Sequence, residues 1–268
     1  GSIACKTAFK SWAKVRTSEG RTENPTTKDG QYVFEEVKPR DTVNFKVFTG
    51  ADETKAASDE FYVYVMSMNW TYMANLANQI YTTATPEQKQ VWSNNRDLQT
   101  QINWNNMFVT YYSQIETTNS EGEYQGKFTI PNNWPTGPMV MVLDYGYNND
   151  ARSGDASRAF SNLLEVASWA VLAVEVLVLG LSCPVTAGAG CVAEMSVLFY
   201  EQLSQGLSKQ IGRNKYGCSF PEGGYKQIYA LNIVNPSNDP FNLANPETKE
   251  VLERDRVNVT TTSNDNSK

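Results

Sequence analysis

The cysteines of this 268-residue chain are the side chains whose spacing most directly predicts chemistry. Cys5, Cys183, Cys191 and Cys218 form an even set without the Cys-x-x-Cys spacing of metal and redox sites. Such a set favours disulfides and an oxidising, extracellular compartment, with buried thiols as the alternative. Of the three pairings that four cysteines allow, we expect Cys183 with Cys191 across a short glycine-rich turn, and Cys5 with Cys218.

Acid–base and metal chemistry receives little support from the remaining residue types. Histidine is absent, which removes the commonest general base and the commonest transition-metal ligand. Glu165 and Glu175 lie in an apolar stretch, where ionisable groups are often functional, but polar partners at a packed interface are the simpler interpretation. An oxygen-rich loop without EF-hand spacing is interpreted as solvated: Asp144, Asn148, Asp150 and Asp155. We therefore predict no enzyme, no cofactor and no metal site.

Aromatic side chains offer a third kind of chemistry, because flat rings can stack on sugars. A set of them could line a glycan-binding surface, although core or subunit packing is the simpler interpretation: Trp70, Tyr72, Tyr81, Trp92, Trp104, Tyr111, Tyr112 and Trp134. Asn69 and Asn258 each begin an Asn-x-Thr sequon and are the predicted glycosylation sites of a secreted glycoprotein.

The charge balance argues against one class of partner. The chain has 23 Lys and Arg residues against 29 Asp and Glu residues, a net charge of -6. Nucleic-acid binding needs clustered Lys and Arg, so we predict no nucleic-acid partner. A hydrophobic content of 40% is ample for a core, and a charged content of only 19% leaves hydroxyls and amides on much of the surface, as in extracellular proteins.

The most distinctive element is an apolar stretch at residues 155–212 that is folded back on itself at the Cys183–Cys191 turn. Its first arm, residues 156–182, is apolar on all sides, which predicts a helix that is buried all round. The second arm repeats apolar residues at four-residue steps and predicts an amphipathic helix. The stretch therefore predicts a helical hairpin, with a buried strand as the alternative for residues 171–181 because that run is rich in valine.

Strand-like runs bounded by turn residues dominate the rest of the chain. Before the hairpin they lie at residues 3–15, 31–36, 42–49, 60–68, 107–116, 122–130 and 139–147. One helix interrupts them, beginning at Thr85-Pro86 and carrying Val91, Leu98 and Ile102. After the hairpin, residues 224–235 predict a strand that could rejoin the sheet.

These elements predict an α+β fold in which an antiparallel β-sandwich, jelly-roll or immunoglobulin-like, carries an inserted hydrophobic helical hairpin. We expect a single domain over residues 1–268. Its predicted parts are a β scaffold at 1–150 and 219–235, the hairpin insertion at 155–212, and a C-terminal tail at 236–268.

Two motifs resemble those of extracellular β-proteins from prokaryotes. Gly122-Glu-Tyr-Gln-Gly-Lys-Phe-Thr-Ile-Pro131, followed by Pro135-Thr-Gly-Pro138, resembles the late strands of immunoglobulin-like sandwiches in surface proteins. Phe34-Glu-Glu-Val-Lys-Pro-Arg-Asp41 resembles the Leu-x-Pro-Gly-Asp lead into paired strands of jelly-roll subunits in biofilm fibres and archaeal bundling pili, with Arg40 in place of the usual glycine. The resemblance implies a β-sandwich subunit of pili, fibres or surface layers.

We therefore expect a secreted structural subunit at the cell surface that self-assembles with other copies into an extracellular filament, pilus or coat. The predicted subunit contacts lie on the hairpin and on a terminal strand: Trp169, Leu172, Val176, Leu179, Ile3 and Phe9. The alternative is a secreted pore-forming toxin that inserts the hairpin into a bilayer. Other copies are thus the expected partners, with a membrane or cell-surface glycans as further candidates.

Overall fold

The computed structural model describes residues 8–16, 22–23, 27–28, 31–32, 35–52, 55–83, 85, 87, 95–145, 166–182, 197–201, 212–213, 219–220 and 226–240. The long described strands are β1 (Ala8–Arg16), β6 (Thr42–Asp52), β8 (Glu60–Met68), β9 (Phe108–Thr117), β10 (Glu123–Thr129), β11 (Gly137–Asp144) and β14 (Lys226–Ile233). The short ones are β2 (Thr22–Glu23), β3 (Thr27–Lys28), β4 (Gln31–Tyr32), β5 (Glu35–Val37), β7 (Lys55–Ala56), β12 (Gly212–Arg213) and β13 (Ser219–Phe220). The described helices are α1 (Trp70–Thr83), α2 (Asn95–Gln101) and α3 (Val166–Ser182), a helical segment at residues 197–201, and 3-10 turns at Trp104–Asn106 and Pro236–Asn238.

The first sheet is antiparallel and is built from strands with one apolar face. Its strand order is β10-β6-β1-β2, and β7 also pairs with β6. In β1, Phe9, Ala13 and Val15 are buried while Trp12 and the lysines beside it are exposed. This alternation is what a strand produces when one face is covered and the other meets water.

The second sheet has the order β5-β14-β11-β8-β9 and is antiparallel apart from the parallel pair of β14 with β5. Every residue of β11 is buried, and so are the residues of β8 after Glu60. Strands that are apolar on both faces need a covering layer on each side. The second sheet therefore lies between two layers.

Two apolar clusters define those layers. The inter-sheet core joins side chains from both sheets: Phe9, Val15, Phe45, Val47, Phe128 from the first, and Phe61, Val63, Met141, Leu143 and Leu231 from the second. The helix-sheet core joins the opposite face of the second sheet to the helices: Tyr64, Met66, Val140, Trp70, Leu76, Leu172, Val176 and Phe199. The described residues thus form a mixed α+β fold of two mostly antiparallel sheets with helices on one side.

The apolar stretch is helical over Val166–Ser182, so the alternative of a buried strand at residues 171–181 is wrong. Leu172 and Val176 are fully buried in the helix-sheet core, and α3 packs against α1 and α2. The chain itself does not bury this arm on all sides, because Val171 is 48% exposed and Glu175 is exposed. One side of α3 therefore faces away from the core. Burial of that side by a second copy or by lipid stays a prediction. Residues 183–196, including the predicted hairpin tip, lie outside the described residues.

Helix α3 and the helical segment at residues 197–201 are inserted between two neighbouring strands of the second sheet. β11 precedes them and β14 follows them, and the two strands pair from Gly137↔Ile233 to Asp144↔Lys226. The prediction that residues 224–235 rejoin the sheet is therefore confirmed for Lys226–Ile233. Residues 219–220 pair instead with 212–213 in a separate two-stranded sheet.

Arg40, in the turn between β5 and β6, has a backbone φ of 75°, in the left-handed region that favours glycine. Its N–H donates to the Ile130 carbonyl at 2.8 Å, which ties this turn to the end of β10. The fibre-subunit motif that this segment resembles has glycine at the same place, and the backbone here retains the glycine conformation.

Replacing Arg40 by glycine should therefore raise the free energy of unfolding by up to about 1 kcal/mol. A side chain in the left-handed region costs roughly 1–2 kcal/mol, and the greater freedom of glycine in the unfolded chain offsets part of the gain. Urea unfolding followed by circular dichroism measures the difference. Arg40→Ala is the matched control, because it removes the charge but keeps Cβ, and it should give no comparable gain. Equal stabilisation by both variants would trace the effect to the charge instead.

Candidate assembly interface

The outermost described strand of the second sheet, β9, has one edge along which no described strand pairs. It is 10 residues long and pairs with β8 from Phe108↔Met68 to Thr117↔Glu60. Within the described ranges, no strand lies on its other side. Backbone N–H and C=O groups along such an edge form a template for another strand.

The other described sheet edges carry features that discourage pairing, and β9 has fewer of them. β2, β5 and β7 are only 2 or 3 residues long, and β10 contains Gly126 and Lys127. Short strands and edge lysines are devices by which monomeric β-proteins avoid edge-to-edge association. The β9 sequence, FVTYYSQIET, contains no Lys, Arg or Pro and is rich in β-branched and aromatic residues.

A bulge anchors the first half of β9 to the inter-sheet core. The register shifts between Val65 and Met66, so that Tyr112 pairs with Val65 while Tyr111 is the extra residue. The bulge lets two consecutive tyrosines pack on the same core, Tyr111 with its ring 5.5 Å from Trp134 and Tyr112 with its ring 4.9 Å from Phe128. Beyond the bulge, residues 112–117 keep a regular register with β8.

The second half of β9 presents exposed side chains next to this regular edge. Ser113 and Gln114 are exposed, and Ile115 has 42% of its surface exposed. Glu116 contacts the first sheet, because Tyr124 of β10 hydrogen-bonds to its carboxylate. Burial, together with this hydrogen bond, raises the pKa of Tyr124 to about 12. Side chains on the core side thus contact the first sheet, while no described strand pairs with the outer backbone edge at residues 112–117.

The predicted subunit contacts lie mostly inside the chain's own core. Phe9 is buried and stacks on Tyr145 with ring centroids 5.3 Å apart, and β1 pairs with β6 of the same chain. Leu172 and Val176 are fully buried, and Leu179 is partly buried against the same cluster. The side chain of Trp169 and the whole of Ile3 lie outside the described residues. Among these residues, those that the structure describes support the fold of their own chain.

Among the predicted disulfide and glycosylation residues, Asn69 alone belongs to the described part of the chain. All of the cysteines, and Asn258, lie outside them. Asn69 is partly buried and caps α1, because its Oδ1 accepts a hydrogen bond from the Tyr72 N–H at 3.1 Å. The same Asn-Trp-Thr triplet that forms a sequon thus serves as a helix start.

The described members of the aromatic set do not form an exposed sugar-binding surface. Trp70, Tyr72 and Trp134 are buried, and of the members whose side chains are described, Trp104 alone is exposed. The side chains of the two remaining members, Tyr81 and Trp92, lie outside that part. The most exposed large hydrophobic side chain in the described part is instead Trp12, at 51%, which the aromatic set omitted.

The buried carboxylates of Asp59 and Asp144 lie at strand ends, where they contact neighbouring side chains and backbone. Asp59 accepts hydrogen bonds from the Tyr145 hydroxyl at 2.5 Å and from the Glu60 N–H at 2.9 Å. Asp144 is buried at the end of β11 near Tyr64, whose pKa is raised by burial and by that negative charge. In the described part of the chain, no group of three or more His, Cys, Asp or Glu residues could hold a metal ion. Asn148, Asp150, Asp155 and Glu165 lie outside it.

No protein-family model, curated protein or solved structure matches this chain. Within the described ranges, no helix has both the length and the apolar character that crossing a bilayer requires.

Proposed function

We propose that this chain is a secreted, non-enzymatic structural subunit that self-assembles with other copies into an extracellular filament or coat by strand addition at β9. The observation that carries the proposal is the outer edge of β9 at residues 112–117, in a strand that lacks Lys, Arg and Pro. Strand addition supplies affinity through main-chain hydrogen bonds, and alternate side chains add specificity. The even number of cysteines and the resemblance to fibre subunits support the extracellular location.

We infer further that the two sheets form a sandwich of the immunoglobulin-like type rather than a jelly roll. The neighbours β1-β6-β10 correspond to strands A, B and E of that fold, and β14-β11-β8-β9 correspond to G, F, C and C′. On this assignment, α1 and α2 are inserted between C and C′, and α3 is inserted between F and G. β9 is then the C′ strand at the outer edge of its sheet.

Two donors for the added strand give assemblies of different symmetry. If β9 of one copy pairs with β9 of another, the contact is two-fold and closes as a dimer. If residues 3–7, which precede β1, are donated to β9 of the next copy, the contact runs head to tail and generates an open filament. The filament proposal favours the second donor.

Replacing Ile115 by lysine should weaken self-association at least tenfold, about 1.4 kcal/mol per contact. The exposed isoleucine lies on the regular part of the edge, where a charge must be desolvated when a strand is added. Sedimentation velocity over a range of concentrations measures the effect, and negative-stain microscopy identifies filaments. Ile115→Thr is the matched control, because it keeps β-branching without charge and should still assemble.

Removing residues 1–7 separates the two donors. Loss of filaments with dimers retained supports β9–β9 pairing in addition to donation, whereas loss of all assembly identifies the N-terminal segment as the donor. Association that is unchanged in Ile115→Lys, or a wild-type chain that stays monomeric at high concentration, would contradict assembly through β9. Release of dye from lipid vesicles by the monomer would favour the pore-forming alternative.

A further inference from the structure

The outer face of the first sheet, which points away from the inter-sheet core, concentrates positive charge around one exposed tryptophan. We call it the lysine face, and its exposed or half-exposed members are Lys10, Trp12 and Lys14 of β1, Thr42, Asn44, Lys46 and Phe48 of β6, and Glu123, Gln125, Lys127 and Thr129 of β10. These residues alternate along β1, β6 and β10 with the side chains that fill the inter-sheet core. The face is therefore a flat surface of three paired strands.

The strand register places lysines on three sides of Trp12. Lys10 and Lys14 flank it along β1, each about 7 Å away by strand geometry. Lys46 is its direct partner on β6, and the Lys46 Nζ lies 6.0 Å from the centre of the Trp12 ring. One step along, Lys14 pairs with Asn44, which pairs in turn with Lys127 on β10.

The charge of this face is opposite in sign to that of the whole chain. The one acidic side chain among its described residues is Glu123, whose Oε1 lies 3.4 Å from the Lys46 Nζ. The chain as a whole carries a net charge of -6, so the local charge of this face has the opposite sign. A row of lysines is explained by solvation, and a single exposed hydrophobic side chain is common on protein surfaces. The observation that we use is their combination, an aromatic ring with 51% of its surface exposed and lysines on three sides.

We propose that the lysine face binds an acidic polysaccharide. A sugar ring stacks on Trp12, while carboxylate or sulfate groups on neighbouring sugars pair with the lysines. The amides of Asn44 and Gln125 lie between the lysines, where they can hydrogen-bond to sugar hydroxyls. A single ring on a flat sheet, with amides between spaced charges, fits a carbohydrate better than it fits stacked bases or a bilayer. The charge of the lysine face is complementary to that of an acidic polysaccharide, whereas the net charge of the chain is not.

This inference is independent of assembly through β9, which belongs to the other sheet. The test is binding of the full-length protein to dextran sulfate at low ionic strength, with uncharged dextran and a sugar-free sulfonate resin as references. Dextran sulfate should bind, uncharged dextran should not, and added salt should weaken binding steeply.

Matched variants locate the site. Lys14→Gln should weaken binding about two- to fivefold, whereas Lys38→Gln, which removes an exposed lysine outside the face, should leave it unchanged. Trp12→Ala should weaken binding to dextran sulfate about threefold or more without changing retention on the sulfonate resin. Trp104→Ala, which removes another exposed tryptophan, should have no effect. Circular dichroism confirms folding of each variant.

Three results would overturn the proposal. If Trp12→Ala and Lys14→Gln bind dextran sulfate as tightly as the wild type does, the lysine face is not the binding site. If duplex DNA or anionic lipid vesicles compete for the face better than dextran sulfate does, its ligand is not a polysaccharide. Loss of self-association in Lys14→Gln, with β9 unchanged, would assign the face to a second copy of the chain.

Discussion

Replacing Trp70 by alanine should lower the free energy of unfolding by about 3–5 kcal/mol. Trp70 opens α1, is fully buried, and packs edge-on against Phe199 with ring centroids 6.0 Å apart. Its Nε1 donates to the Pro138 carbonyl at 3.0 Å. Gly137 lies directly against the ring, because a Cβ there would come within 2.9 Å of it. One side chain thus joins α1, β11 and the inserted helical segment at residues 197–201.

Denaturant unfolding of Trp70→Ala, Trp70→Phe and Trp104→Ala separates the contribution of the buried ring from that of its hydrogen bond. Trp70→Phe keeps an aromatic ring but loses the hydrogen bond. The Pro138 carbonyl still accepts a hydrogen bond from the Ser67 hydroxyl, so the loss of the indole donor should cost about 0.5–1.5 kcal/mol. Trp104→Ala is the exposed control and should stay within about 0.5 kcal/mol of the wild type. If Trp70→Ala were as mild as Trp104→Ala, the helices would not be joined to the sheet in the way that the helix-sheet core requires.

The strands could be predicted from the sequence because their signal is local. The run at residues 60–68 was predicted with the bounds that β8 has, and β6, β9, β10 and β11 lie within a few residues of the predicted runs. Period-two alternation, turn residues and β-branched side chains all lie within the strand itself. The helical state of the apolar stretch was predictable for the same reason, since a long apolar run favours helix.

Helix α1 was not predicted, although its signal was present. Trp70, Met73, Ala77 and Ile80 follow the spacing of one helix face, and Asn69 is a good N-cap. The triplet at Asn69 was interpreted as a sequon, and the aromatics after it as core or subunit packing, without being assigned to a helix. Burial separates these interpretations, and burial of Trp70 depends on β11 and on residues 197–201, which are distant in the sequence.

The candidate interface and the lysine face depend on pairing that no local pattern contains. β9 is an edge because β8 pairs with it on one side and no described strand does so on the other. The bulge also breaks the alternation that would have assigned Tyr111 and Tyr112 to opposite faces. Trp12 is different, because its alternation with Phe9, Ala13 and Val15 already places it on the face that carries the lysines. The lysines of β6 and β10 join it only through the register.

Replacing Leu172 by aspartate should lower the free energy of unfolding by about 4 kcal/mol or more, whereas the same change at the adjacent Val171 should alter it by about 0.5 kcal/mol or less. Leu172 is fully buried in the helix-sheet core, so its replacement places a charge in an apolar environment. Val171 is 48% exposed, so the same charge meets water there. Thermal and denaturant unfolding, followed by circular dichroism, measure both variants.

The same pair of variants also discriminates between a structural subunit and a pore-forming toxin. If α3 is a permanent part of the core, Leu172→Asp destabilises the whole fold in one cooperative transition, because α3 packs on α1 and on the sheet. If the helices leave the sheet to enter a bilayer, Leu172→Asp should abolish vesicle leakage while the two sheets unfold at their normal denaturant concentration. Val171→Asp adds a further distinction, since loss of filaments with unchanged stability would place a subunit contact on the exposed side of α3. Filaments retained in Val171→Asp but lost in Ile115→Lys would leave β9 as the contact on which assembly depends.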